Sequence, residues 1–502
     1  MCGSKRIAQR VVESAVSAEI IERARCGCAE DSARYSKLRL LVVSVLLFCA
    51  TVMPARASTI TVTNTNDSGP GSLRQAFRVA NDGDTINFAV TGTITLTSGG
   101  LPVNKSLTIS GPGKDQLSID GNQASLVFGI FPDKTAAISG LTIRNAQAGI
   151  WNFGALAVSN CLLSGNSSGG LYNRGILTAS DCVISDNSGY GLYNDHAILS
   201  VSDCVINANS YGGISNFNPH GPSSSVHRGN DRRDVIDGFF QGDVTIANTV
   251  VSDNSEHGVY NIEGHVTILS STLSGNSAGV DNSGGGIYTS GYKLPGNVMV
   301  INSTISGNFA FSDGGGIASG FSVVTIANST ISGNSVGDPD DGYGGGIAAY
   351  GGGVIPPALT ITNSTVSGNL AATCGGVCGG TVEIGNTILN ANVSGNIDGT
   401  VTSHGYNISS DDGGGHLNGP GDQINTDPVL SPLRNHGGPT LTHVPLRGSP
   451  AIDAGDPSFT PPPDHDQRGA CFYRVFGPRI DVGSVETQLR PRCVTPAPRP
   501  TP

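Results

Sequence analysis

The sequence predicts an all-β chain folded as a single-stranded right-handed parallel β-helix, a three-sheet solenoid with a short N-terminal capping helix. Three observations carry that expectation. A phrase made of an apolar residue, a polar residue, a Gly, small or acidic residue and then Asn recurs nine times, ending at Asn166, Asn187, Asn209, Asn254, Asn276, Asn308, Asn334, Asn369 and Asn396. Self-similarity at about 20 to 50 residues marks a solenoid, propeller or array. Gly supplies 71 of the 502 residues and only 13% are charged, which suits tight turns and short strands rather than helices. Within each repeat, three short pieces alternate apolar and polar residues, the period of a half-buried strand.

One repeat builds one coil. The fullest reads Gly258-Val259-Tyr260-Asn261, Val266-Thr267-Ile268 and Ser271-Thr272-Leu273-Ser274-Gly275-Asn276, and the same pieces return from Gly286 and from Gly346. Three strands per repeat give a triangular coil with its apolar side chains inward, and stacked coils give three parallel sheets. A propeller blade needs about 40 residues or more, and an immunoglobulin-type unit needs about seven strands.

Asn makes the corners plausible. It tolerates the left-handed backbone region and bonds its own turn, and identical amides on stacked coils bond one another as in cross-β ladders. A second series, Asn160, Asn248, Asn302, Asn328, Asn363 and Asn386, marks the bend between the second and third strands. Coils from Gly149 to Gly213 take 21 to 22 residues and those from Gly286 to Gly376 take 30, so the added residues are expected as loops on one side. The largest insertion runs from about Phe217 to Asp243.

Residues 1–57 read as a leader and signal peptide. The apolar run Leu40–Met53 follows Lys37 and Arg39 and is closed by Ala55-Arg56-Ala57, a signal-peptidase pattern, and fourteen residues are short for a bilayer span. Cleavage after Ala57 leaves no transmembrane segment in the expected product, which is secreted or held at the cell surface. The remainder carries 19 basic against 34 acidic side chains, which argues against nucleic acid as a partner. Residues 58–85 are expected to form an N-terminal cap, 86–410 the β-helix, 411–490 a C-terminal module and 491–502 a disordered Pro-rich tail. A monomer is expected.

In an exported chain disulfides are permitted. Cys161, Cys182 and Cys204 share one phase of successive repeats, where a packed column of free thiols is expected, continued by Thr249, Thr272, Thr304, Thr330 and Thr365. Cys374 with Cys378, and Cys471 with Cys493, are the disulfide candidates, since both pairs lie in turn-rich segments.

An open β-helix exposes strand edges, so caps are expected. Ser72 to Ala80 reads as a short helix with Ser72 as N-cap and Leu73, Ala76, Phe77 and Ala80 on one face. Gly71-Ser72-Leu73-Arg74-Gln75-Ala76, followed by Ala80-Asn81-Asp82-Gly83-Asp84-Thr85-Ile86, resembles the CSLREA-type N-terminal region of bacterial exported β-helix proteins, with Gly71 for its Cys and Gln75 for its Glu. At the other end, Gly448-Ser449-Pro450-Ala451-Ile452-Asp453-Ala454-Gly455, Asp466-Gln467-Arg468-Gly469 and Asp481-Val482-Gly483-Ser484-Val485-Glu486 resemble the module called choice-of-anchor Q. That resemblance implies a surface or secreted protein, although no apolar segment or sorting motif follows Glu486. Gly285-Gly286-Ile287 and its repeats are similar, more weakly, to polymorphic outer membrane protein repeats.

The expected function is that of an exported scaffold, adhesin-like or glycan-binding, without catalysis and without a cofactor. The alternative is a carbohydrate-active enzyme of the pectin-lyase-like class, a polysaccharide lyase, hydrolase or epimerase. Lyase chemistry needs a base beside a uronate and hydrolysis needs paired carboxyl groups, but cations are sparse between Gly140 and Thr400. The insertion holds the candidates for chemistry, His227, Asp231, Arg232 and Asp234, and for stacking on sugars, Phe239 and Phe240. Asp338, Asp340 and Asp341 form an acidic turn considered for Ca²⁺. The expected partner is a polysaccharide or cell-surface glycan.

Overall fold

Alternation along each strand sets which side chains turn inward. In the coil Val259–Ile262, His265–Leu269 and Thr272–Ser274, the residues Val259, Val266, Ile268 and Leu273 are buried while their neighbours face outward. A computed structural model describes residues 57–488 except 125, 219–241, 280–281, 292 and 351–357. Every ladder pairs parallel strands of successive coils, and the chain is a right-handed parallel β-helix. The apolar residues of each rung stack on those of the next, so one core runs from Val62 to Leu417.

Three ladders make the faces of the triangle. The first begins at Leu101–Val103, the second at Thr59–Val62 and the third at Gly92–Thr95. The first two fuse into one 24-stranded sheet because Val377–Gly385 and Ile397–Gly405 run through the bend between them, while the third keeps 13 strands. Strand Thr59–Val62 pairs with Thr85–Phe88, so the first rung lies ahead of the helix, within the stretch expected as cap alone.

The Asn phrase forms a buried ladder inside the corner between third and first faces. Each Nδ2 donates to the Oδ1 of the next coil, at 2.9 Å from Asn166 to Asn187 and 2.8 Å from Asn254 to Asn276. Near its end Asn392 slots between Asn369 and Asn396, a member the spacing does not reveal. The residue before each ladder Asn adopts positive φ, as at Asp253 and Gly275. The second series does different work: Asn160, Asn248, Asn302, Asn328, Asn363 and Asn386 themselves take φ of 48–52°, and side-chain bonds within it join Asn328 to Asn302 and Asn386 to Asn363. A further buried row, Asn152, Asn173, Asn194, Asn216 and Asn261, lines the bend between first and second faces.

Cys161, Cys182 and Cys204 are free and buried. Their column continues as Thr249, Ser271, Ser303, Ser329, Ser364 and Thr387, each accepting from the amide below. Thr272, Thr304, Thr330 and Thr365 lie one residue further on and face outward, because Val250 pairs with Thr272. Cys374 and Cys378 are joined by a disulfide. Cys471 is disulfide-bonded, and Cys493 lies outside the described residues.

Helix Leu73–Val79 is N-capped by Ser72 and buries Leu73, Ala76 and Phe77, with the Phe77 ring 6.1 Å from that of Phe128. The C-terminal module is a lateral strap as much as an end piece. Gln467 Nε2 donates to Thr304 Oγ1 at 2.9 Å, Thr330 Oγ1 donates to Gln467 Oε1 at 2.6 Å, and His443 Nε2 meets Ser332 Oγ at 2.9 Å. It therefore lies along the outside of the third face.

The added residues of the longer coils enter at two bends rather than one. Short strands Ser277–Ala278, Phe309–Ala310 and Ser335–Val336 pair where the third face turns into the first. Between Ile287–Ser290 and Gly296–Ile301, where the first face turns into the second, the chain takes five residues, against two between Val259–Ile262 and His265–Leu269.

Candidate functional site

The sequence candidates His227, Asp231, Arg232, Asp234, Phe239 and Phe240 lie outside the described residues. The insertion's described neighbour Phe217 pairs with Asp195 on the first face. Asp338, Asp340 and Asp341 do not converge on a cation position. The Asp338 carboxylate accepts from the amides of Asp340 and Asp341, holding an exposed turn. Among the described residues no group of three or more His, Cys, Asp or Glu is placed to hold a metal ion.

What the first face does gather is aromatic. Its middle outward position carries Trp151, Tyr172, Tyr193, Ser215, Tyr260 and Tyr288 on successive coils. Parallel strands about 4.8 Å apart bring such rings into a pile. Tyr172 and Tyr193 stack at 5.4 Å and 9°, and Tyr260 and Tyr288 at 5.3 Å and 9°. Rings stacked this way spend their faces on each other and offer solvent only their edges.

Faces become available at the early end of the row. Trp151 stands nearly perpendicular to Phe153, 6.5 Å away, and 6.1 Å from Tyr172, while Phe153 lies 6.3 Å from Tyr172. Phe131 is 49% exposed, Trp151 40% and Phe153 38%. Each of these side chains thus leaves between a third and a half of its surface in water.

A polar hub borders the rings. Asp195, in register with Phe217, accepts from Tyr172 Oη at 2.6 Å, pairs with Arg174 Nε at 3.0 Å and meets His196 Nδ1 at 2.5 Å. Burial pushes the Asp195 pKa up, but the bonds from His196 and Tyr172 and the charge of Arg174 outweigh it and hold the carboxyl below its ordinary range. Burial first, and then the bond to Asp195, raise the Tyr172 phenol, while Tyr193 is pushed up to about 12, chiefly by burial. With Nδ1 bound to Asp195, Nε2 is the ring nitrogen of His196 left for another partner.

No protein-family model matches the chain, and no curated protein sequence matches it. The resemblances of its two ends therefore stand on their residues alone. Solved structures do match. Pectate lyase Pel9A is 15% identical over 88% of this chain and 98% of that one, with a TM-score of 0.40. The A-module of the mannuronan C-5 epimerase AlgE4 of Azotobacter vinelandii is 13% identical over 72% and 97%, at 0.45. The catalytic unit of a thermostable GH87 alpha-1,3-glucanase from Streptomyces thermodiastaticus strain HF3-3 is 17% identical over 71% and 69%, at 0.39. The likeness is one of fold alone.

Sequence reasoning does not reach this aromatic platform. Its signal is the recurring triplet of apolar residue, aromatic and Asn, in Ile150-Trp151-Asn152, Leu171-Tyr172-Asn173, Leu192-Tyr193-Asn194 and Val259-Tyr260-Asn261. Placed on one strand phase, the triplet points every ring outward and every Asn inward.

Proposed function

We propose that this chain is an exported glycan-binding β-helix protein, secreted or displayed at the cell surface, whose binding surface is the first face around Trp151. The observation that carries the reading is the partly exposed Trp151–Phe153 pair, in contact with Tyr172, beside the Asp195 hub. Aromatic faces stack on the C–H faces of sugar rings, and carboxylate, guanidinium and imidazole groups fix hydroxyl orientation, the apolar-plus-polar pattern of ligand sites. The C-terminal strap already covers the third face, which favours binding on the first. Export rests on the Leu40–Met53 run and the Ala55-Arg56-Ala57 pattern.

A glycan-array and depolymerisation screen of the secreted chain tests this reading. Retention on at least one glycan, lost in Trp151→Ala, is the expected result; retention unchanged by that substitution would place binding elsewhere. A second reading, a carbohydrate-active enzyme, has its own motive in the Asp195–His196 pair, since a carboxylate-oriented imidazole is a general base in form. Release of shorter or unsaturated products, abolished by His196→Ala, would establish it.

A further inference from the structure

We infer that the face around Trp151 takes a neutral glycan and discriminates against polyuronates; this rests on the reading of that face as a glycan site. The argument is one of charge. Recognising a uronate chain calls for cations whose charge is available to the ligand. Arg174, the guanidinium beside the rings, is already matched by Asp195 at 3.0 Å. Lys134, three residues after Phe131, is matched by Asp82 at 3.3 Å. The hub carboxylate is itself nearly buried, with 14% of its side chain exposed, and the bonds that hold it below its ordinary pKa keep it ionised.

A ligand carboxylate approaching the platform would meet the Asp195 charge and an Arg174 whose positive charge Asp195 already offsets. Sugar hydroxyls meet no such conflict. They can donate to Asp195 and to His196 Nε2 and accept from the remaining Arg174 N–H groups while a ring lies on Trp151 or Phe153. A formal net charge of −11 works in the same direction at longer range. The arrangement selects by repulsion as well as by contact.

Trp151 is the single Trp of the chain, so its fluorescence reports on this face directly. The full secreted chain is titrated at low ionic strength with cello- and xylo-oligosaccharides and with oligogalacturonate and oligomannuronate of matched length. Neutral oligosaccharides are expected to change Trp151 emission saturably, with uronates weaker by roughly tenfold or more, the size of one poorly screened like-charge contact. Asp195→Asn, which removes the charge and keeps an acceptor for Tyr172, is expected to narrow that gap about tenfold. Equal or tighter binding of uronates by the wild-type chain overturns the inference and leaves the glycan reading standing. No response to either class, with none on the array, overturns the glycan reading itself.

Discussion

The phenol of Tyr172 donates to Oδ2 of Asp195 at 2.6 Å, one coil away, and so ties the stacked tyrosines to the polar hub. Asp195→Ala removes the acceptor for Tyr172 and the partner of Arg174 together. The group is partly solvated and on the surface of the solenoid, so the expected loss of stability is modest, about 1–2 kcal/mol. Urea unfolding measures it, and a loss below the error of that experiment would mean the hub adds nothing to folding. The depressed Asp195 pKa fixes the sign of the pH dependence. Its contribution is whole above the ordinary carboxylate value of 3.8 and is lost as pH falls through the lower folded value.

Trp151 is expected to separate binding from stability. Its side chain is 40% exposed, so Trp151→Ala should lower stability by about 1–2 kcal/mol, short of the cost for a fully buried aromatic. Glycan retention should fall at least tenfold in the same variant. A large drop in thermal midpoint would instead make the ring a packing residue.

The fold is legible because stacking forces every coil to repeat its chemistry. A residue needed once at a bend or in the core is needed about every 21 to 35 residues, and the Asn phrase and the Thr-Ile-Ser strands display that need. The capping helix is legible from Ser72 and the spacing of Leu73, Ala76 and Phe77. The strap is not, because its contacts join residues far apart in the chain and leave no local period: Gln467 reaches Thr330 across 137 residues. Nor is the platform, since Asp195 becomes a hub only when the register sets it beside Tyr172 and Arg174. The cysteine column shows the finest failure, a slip of one residue between Thr249 and Ser271 that exchanges inside for outside.

The strap should loosen in acid. His443 donates from Nδ1 to the Ser431 carbonyl at 2.7 Å, and on the neutral ring that leaves Nε2 to accept from Ser332 at 2.9 Å. Burial lowers its pKa below the ordinary 6.5, against a smaller upward pull from the Ser431 bond. The unfolded chain therefore binds the proton more readily, and the contact's contribution is whole above 6.5 and drains as pH falls through the depressed folded value. Hydrogen-exchange protection factors, taken against the intrinsic rate at each pH, should fall over residues 427–488 between about pH 7 and pH 5 while those of the β-helix amides hold. His443→Gln should flatten that response, and an equal response in the variant would assign it to another group.

Two asparagines of one stretch should fail differently because they hold different things. Asn276 Nδ2 donates to Asn308 Oδ1 at 2.9 Å and to the Val251 carbonyl at 3.0 Å, and its Oδ1 accepts from Asn254 at 2.8 Å. Replacing it with Ala or Gly strands buried donors and acceptors on the two flanking coils, at an expected cost of about 3–5 kcal/mol. Asn248 instead takes a φ of 48° at a bend. Gly reaches that conformation without penalty, so Asn248→Gly should change stability by less than about 1 kcal/mol, while Asn248→Ala should cost about 1–2 kcal/mol in backbone strain. Denaturant midpoints of the four variants decide the matter. If Asn276→Gly costs as little as Asn248→Gly, the ladder bonds add little to stability.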